Sequence, residues 1–79
     1  MIRSLSRGLD IIAIFNRRDS ASASEISKEL KMPRSTVYRI LETLIEKKFM
    51  GASSFWQMVE ADLYEDLLKP LKELFRENL

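Results

Sequence analysis

The chain contains no cysteine and no histidine. Disulfide bridges and metal sites built from thiolates or imidazoles are therefore excluded. The same absence excludes Ser-His-Asp and Cys-His catalytic groups. The acidic residues fall mostly at predicted helix starts and on exposed faces, with no histidine or cysteine to work beside them. We therefore predict that the protein is not an enzyme and that it holds no cofactor and no metal.

Long apolar runs are also lacking. The longest, Ile11–Phe15, has five residues, whereas a membrane-spanning helix needs roughly 20. The N-terminal segment has the pattern of an amphipathic helix and not that of a signal peptide. With 79 residues the chain has the size of a single domain. We predict a cytoplasmic protein that does not contact a membrane.

The charge is nearly balanced in total but unevenly distributed. Residues 1–48 carry ten Lys and Arg against six Asp and Glu, and residues 49–79 carry three against six. A basic N-terminal part and an acidic C-terminal part favour a protein that places its basic surface against phosphates. The alternative is a chance distribution of surface charge.

Apolar periodicity predicts three helices before residue 49. The first spans about Ser4–Asn16, the second about Ala23–Leu30 and the third about Arg34–Lys48. Ser22 and Glu25 have the spacing of a capping box at the start of the second helix. A short capped helix, a tight turn and a longer helix form a helix-turn-helix.

The remainder predicts a hairpin and a fourth helix. Phe49–Val59 is rich in aromatic residues and valine, which favours two short strands around a turn. The fourth helix is expected from near Asp62, which has a capping spacing with Glu65, to near Asn78. Pro70 predicts a kink or a break within it.

The predicted fold is therefore mainly α with a small β-hairpin. It is a winged helix-turn-helix with an additional C-terminal helix. Residues 1–59 would form the DNA-binding domain, and residues 60–79 would form a dimerisation helix.

The leading end of the third helix indicates nucleic-acid binding. It concentrates two guanidinium groups and three hydroxyl groups, and its first acidic residue is Glu42. Because helix starts favour acidic side chains, arginine there needs another reason, and an anionic nucleic acid supplies one. The alternative is an ordinary solvated face of a structural three-helix unit. The groups that could read DNA in the major groove are Arg34, Ser35, Thr36, Tyr38 and Arg39.

Three stretches together resemble the N-terminal domain of IclR-type bacterial and archaeal transcriptional regulators: SLSRGLDI at 4–11, SEISKEL at 24–30 and PRSTVYRIL at 33–41. The resemblance covers about residues 3–49. It implies a winged-helix fold, transcriptional control and a homodimer on a palindromic operator. It also implies that the five groups above are recognition-helix contacts and that Arg7 touches the DNA backbone. Residues 56–75 resemble the strand and helix after the wing in TrmB-like archaeal regulators.

The sequence departs from the family pattern in two ways. The larger effector-binding domain of these regulators does not fit in this chain, so we expect no small-molecule effector. The predicted wing also lacks basic residues, since no Lys or Arg occurs between residues 49 and 68. Ser53 and Ser54 are the wing groups that remain for a phosphate contact.

The C-terminal helix has a broad apolar band. One side can pack on the first helix, and the remainder predicts a symmetric dimer interface formed by Leu63, Leu67, Leu71, Leu74 and Phe75, either alone or together with the first helices. A dimer would set two recognition helices roughly 34 Å apart, one turn of DNA. The alternative is a helix that closes a monomeric core.

We therefore predict a sequence-specific transcriptional regulator that binds double-stranded DNA as a homodimer, with the helix at about 34–48 in the major groove. The alternative is a winged-helix protein interaction module that does not bind DNA.

Overall fold

The computed structural model describes residues 1–77, and this part of the chain is helical with short connections. The fourth and fifth α-helices are joined by a π-helical segment, and we call these three elements together the C-terminal arm. The bounds are α1 Arg3–Arg17, α2 Ala23–Leu30, α3 Arg34–Glu46, α4 Ala52–Leu63, the π segment Tyr64–Leu68 and α5 Lys69–Glu77.

The first three helices confirm the helix-turn-helix that the sequence predicts. The hydroxyl oxygen of Ser22 accepts a hydrogen bond from the backbone N–H of Glu25 at 3.0 Å, as expected for a capped start of α2. Lys31 ends α2 in a left-handed conformation with φ of 54°. Pro33 then precedes α3 with extended backbone (φ −62°, ψ 149°), so its missing N–H costs α3 no hydrogen bond.

One small core joins the first four helices. Each of them contributes at least one aliphatic or thioether side chain with at most about 1% of its surface exposed. These residues are Ile11 and Ile14 of α1, Ile26 of α2, Val37 and Leu41 of α3, and Met58 of α4. The arm is therefore fixed to the helix-turn-helix through α4, which packs on both α2 and α3.

The predicted β-hairpin at Phe49–Val59 is wrong. No strand occurs in residues 1–77, and α4 begins at Ala52. Aromatic and branched side chains favour strands, but that preference depends on packing context. Here Phe55 and Met58 turn inward at helical spacing, and Met58 is fully buried. The fold of the described residues is thus a helix-turn-helix extended by a helical arm, without a wing.

The arm also differs from the predicted fourth helix. Asp62 does not begin a helix but lies in the last turn of α4. The described chain stays helical through Pro70, directly after the π segment. A proline ring clashes with the carbonyl four residues back in a regular α-helix, and the backbone hydrogen bonding here is already irregular in the π segment that ends two residues before Pro70. The predicted end near Asn78 lies outside the described residues.

The arm gives the molecule an elongated shape, with principal extents of 51, 24 and 21 Å. Among the described elements, α5 packs only against the π segment. Within residues 1–77 no helix has the combination of length and apolar character that crossing a membrane requires.

Candidate nucleic-acid interface

The leading end of α3 has neither a side-chain cap nor an acidic residue in its first turn. The carbonyl oxygen of Pro33 accepts hydrogen bonds from the N–H groups of Thr36 at 3.0 Å and Val37 at 3.2 Å. The N–H dipoles at such a helix start favour an anion.

The structure divides the predicted recognition residues into two sets. Ser35 and Arg39 are exposed, and Thr36 is half-buried beside them on the solvent side. Arg34 and Tyr38, four residues apart on one helix face, turn instead toward the C-terminal arm. The i, i+4 spacing places Arg34 and Tyr38 on one face, but nothing local in the sequence indicates that the arm contacts that face.

Arg34 forms a bidentate ion pair with Asp66 of the π segment. Its Nη1 donates to Oδ2 of Asp66 at 2.6 Å, and its Nη2 donates to Oδ1 at 3.1 Å. The hydrogen bond from Arg34 lowers the pKa of Asp66, and the same contact raises the pKa of Arg34. Both side chains remain partly in solvent, with 43% and 46% of their surfaces exposed.

Tyr38 is held by Asp62 of α4. The tyrosine hydroxyl donates to Oδ2 of Asp62, and the tyrosine ring meets the Phe55 ring edge-on with centroids 5.5 Å apart. The other oxygen of Asp62 accepts a hydrogen bond from the backbone N–H of Ser24 at 3.0 Å. Burial, together with the hydrogen bond to Asp62, raises the pKa of Tyr38.

A third carboxylate, that of Glu65, also connects the arm to the helix-turn-helix. Glu65 accepts a hydrogen bond from the Ser22 hydroxyl at 3.0 Å, and the nearby Glu65 carboxyl raises the pKa of Glu25. Asp62, Glu65 and Asp66, which we call the carboxylate cluster, thus lie against the leading ends of α2 and α3. Sequence reasoning missed this role because it assigned these residues to the start of their own helix. Their i, i+3, i+4 spacing was the available signal that they share one face.

Thr36 and Arg39 of the solvent-side set line a groove between α1 and α3 with a volume of about 890 Å³. Three arginines line it, Arg3 and Arg7 from α1 and Arg39 from α3. None of their guanidinium groups forms an ion pair with a residue in the range 1–77. Sequence reasoning named Arg7 and Arg39 but missed Arg3, whose signal was its i, i+4 spacing to Arg7.

The predicted wing residues Ser53 and Ser54 belong to a helix in the structure. Ser53 and Ser54 lie in the first turn of α4, where the N–H of Ser54 donates to the carbonyl oxygen of Gly51 at 3.1 Å. A phosphate contact by these two serines stays a prediction, without the hairpin that motivated it.

The predicted dimer residues lie along the arm. In the single chain each has at least half of its surface exposed: Leu63 50%, Leu67 56%, Leu71 55%, Leu74 56% and Phe75 72%. Leu67 and Leu71 thus present apolar surface to solvent in the single chain, and large surfaces of this kind are typical of interfaces.

Comparison with known proteins identifies the part of the chain that carries this interface. The model of the IclR helix-turn-helix domain matches residues 4–50, more than half of the chain, and covers α1, α2 and α3. Neither a curated protein nor a solved structure shows significant similarity to the chain. The TrmB-like resemblance of residues 56–75 finds no support in these comparisons. The chain therefore belongs to the IclR helix-turn-helix family, whose members are DNA-binding transcription regulators and not enzymes.

Proposed function

We propose that the protein is a sequence-specific transcriptional regulator, located in the cytoplasm, that binds double-stranded DNA as a homodimer through α3. One observation carries this proposal: Arg39 is exposed on α3, lines the same groove as Arg7, and forms no ion pair with a described residue. A helix-turn-helix places this face of its second helix in the major groove. An arginine presented there can bind O6 and N7 of guanine with its two forked N–H groups.

The neighbouring groups suit the DNA backbone. Ser35 and Thr36 carry hydroxyls at the start of α3, and hydroxyls bind phosphate oxygens or base edges. Arg7 and Arg3 stand across the groove on α1, where their charge favours phosphate. Arg34 and Tyr38 are engaged by the arm, so in this conformation their contact with DNA requires the arm to move.

The apolar face of the arm supports the homodimer. Leu67 and Leu71 are four residues apart and more than half exposed, and neither belongs to the hydrophobic core. Two copies that pack these faces together remove apolar surface from water. In this proposal the dimerisation unit begins at about residue 60, within α4, and residues 1–59 include the DNA-binding helices.

The DNA test begins with a pool of random-sequence duplexes, from which the full chain selects its preferred sites. Affinity for a selected site is then measured across salt for the wild type, Arg39→Ala and Arg76→Ala. Arg76 is the matched control because it is an exposed arginine on α5, away from α3. We expect log K to fall linearly with log salt concentration for the wild type.

We expect Arg39→Ala to weaken binding by about 1–3 kcal/mol and to relax base preference at one position. Arg76→Ala should leave the base preference intact. No measurable binding by the wild type at low salt would overturn the proposal. Equal losses for both variants would place DNA binding on a different surface.

The dimer test is sedimentation of Leu67→Asp/Leu71→Asp beside the matched control Leu5→Asp/Leu9→Asp. Both pairs are leucines four residues apart with more than half of their surface exposed. We expect the arm variant to give the monomer mass and the α1 variant to keep the dimer mass. An unchanged mass for the arm variant, or a monomer only for the α1 variant, would refute the arm interface.

The alternative function is a protein interaction module that does not bind DNA. The observation in its favour is that carboxylates already hold Arg34 and Tyr38 at the leading end of α3. The wild-type titration at low salt decides between the two functions.

A further inference from the structure

The carboxylate cluster lies where a DNA phosphate would be attracted. Asp62 accepts a hydrogen bond from the backbone N–H of Ser24 in the first turn of α2, and Asp66 binds Arg34, the first residue of α3. The leading end of a helix carries positive partial charge and attracts anions. The arm therefore places its own anionic groups at the end of the helix-turn-helix that DNA is expected to approach.

The geometry of the Arg34–Asp66 pair makes the competition direct. A carboxylate that takes two N–H groups of a guanidinium uses the same forked arrangement that arginine offers to phosphate or to guanine. Both nitrogens at the tip of Arg34 donate to Asp66, at 2.6 and 3.1 Å. Arg34 cannot bind DNA with these groups while it binds Asp66.

The contact is also suited to exchange. Arg34 and Asp66 remain partly exposed, so water and salt reach the pair and weaken it. Asp62 is different because it is buried and fixed by two hydrogen bonds. Asp66 lies four residues further along, in the π segment, which contributes no buried residue to the core.

We propose that the C-terminal arm is autoinhibitory: Asp66 occupies Arg34 as an internal substitute for DNA, and DNA binding exchanges this contact for one to phosphate or base. The inference rests on the proposed DNA-binding function and adds to it a regulation of the same site. Any event that draws the arm away from α3 then raises DNA affinity, since it frees a cation at the leading end of the recognition helix.

The experiment compares Asp66→Asn with Glu60→Gln in the full chain, using a duplex selected by the wild type. Both changes remove one negative charge from an exposed side chain of the arm and keep its shape. Glu60 forms no ion pair within residues 1–77, which makes it the matched control for the general loss of charge. We expect Asp66→Asn to raise affinity by a factor of about 2–5 beyond the control, the range typical of one exposed ion pair. This excess should shrink as salt increases.

The same two changes are then made in an Arg34→Ala background. If Asp66 acts by occupying Arg34, the excess of Asp66→Asn over Glu60→Gln disappears there, because the group that it frees is gone. Circular dichroism checks that each variant keeps its helical fold.

Three results would overturn the autoinhibition. Equal effects of Asp66→Asn and Glu60→Gln would mean that only total charge matters, and a persistent excess in the Arg34→Ala background would mean that Asp66 acts elsewhere. A lower affinity for Asp66→Asn would mean that Asp66 positions Arg34 for DNA. In each of these cases the wild type still binds DNA and loses affinity with Arg39→Ala, whereas failure of the proposed function is the absence of wild-type binding.

Discussion

The hydroxyl of Tyr38 on α3 donates a hydrogen bond to the carboxylate of Asp62 on α4, 24 positions along the chain. The same carboxylate accepts the backbone N–H of Ser24 on α2, so a single buried side chain connects three helices. A buried carboxylate is tolerated only when hydrogen bonds replace the water that it loses. That condition holds, since no buried side-chain polar atom among the described residues lacks a partner.

Removing the tyrosine hydroxyl should destabilise the fold. In Tyr38→Phe the ring keeps its packing against Phe55, but Asp62 loses one donor, and we expect a cost of about 1–3 kcal/mol in the free energy of unfolding. Urea denaturation measures it. Tyr64→Phe is the matched control, because Tyr64 is an exposed residue of the π segment. A cost for Tyr38→Phe as small as that of the control would mean that the hydroxyl does not support Asp62.

The raised pKa of Tyr38 predicts a loss of stability in alkaline solution. An unfolded tyrosine ionises near pH 10.0, whereas burial and Asp62 keep Tyr38 protonated in the folded chain to a higher pH. The stabilisation is therefore complete below pH 10 and is lost as pH rises above it, by at most about 1.4 kcal/mol per pH unit. Unfolding free energies of wild type and Tyr38→Phe, measured from about pH 8 to pH 11, should converge above pH 10. If the difference between the two unfolding free energies stayed constant across this pH range, the pKa of Tyr38 would not be raised in the folded chain.

The left-handed backbone at Lys31 predicts that a glycine at this position makes the fold more stable. A non-glycine residue with φ of 54° is strained by its Cβ, and a glycine just after a helix avoids this cost. We expect Lys31→Gly to stabilise the fold by about 0.5–1 kcal/mol, after allowance for the greater freedom of glycine in the unfolded chain. Lys28→Gly, the same change inside α2, should destabilise it by about 1 kcal/mol. Urea denaturation measures both stability changes. If both glycine variants were destabilised, or both stabilised, the left-handed conformation at Lys31 would be contradicted.

The helical form of residues 52–63 predicts how much stability is lost when the Met58 side chain is truncated. This side chain is fully buried and fixes α4 to the core, so Met58→Ala should cost about 2–5 kcal/mol. The neighbouring Trp56 is 63% exposed, and Trp56→Ala should cost less than about 1 kcal/mol. Thermal or urea unfolding compares the two variants. A larger cost for the tryptophan would mean that α4 does not face the core as described.

Local signals explain the parts of the fold that the sequence predicts well. The apolar periodicity of residues 4–48 marks three helices, and Ser22 with Glu25 marks the start of the second. The structure has all three within two residues of the predicted bounds and has the Ser22 cap. These features depend on contacts between residues a few positions apart, which the sequence displays directly.

The segment after residue 48 was predicted less well because its local preferences conflict. Phe55, Trp56 and Val59 favour strands by propensity, while the inward spacing of Phe55 and Met58 fits a helix. A small core has to gain as much apolar burial as possible, and the helical form lets Met58 complete the core made by α1, α2 and α3. That competition between propensity and burial is decided only once the other helices are in place.

The sequence by itself determined the helix-turn-helix, the cations at its leading end and the apolar face of the arm, because each is a periodic pattern along one helix. Only the tertiary structure decided that Arg34 and Tyr38 turn toward Asp66 and Asp62 while Arg39 stays exposed. The physical reason is the distance along the chain. Ion pairs and hydrogen bonds between residues 24 to 38 positions apart produce no periodic pattern in the sequence. They form when the packing of α4 brings the acidic residues of the arm against the leading ends of α2 and α3.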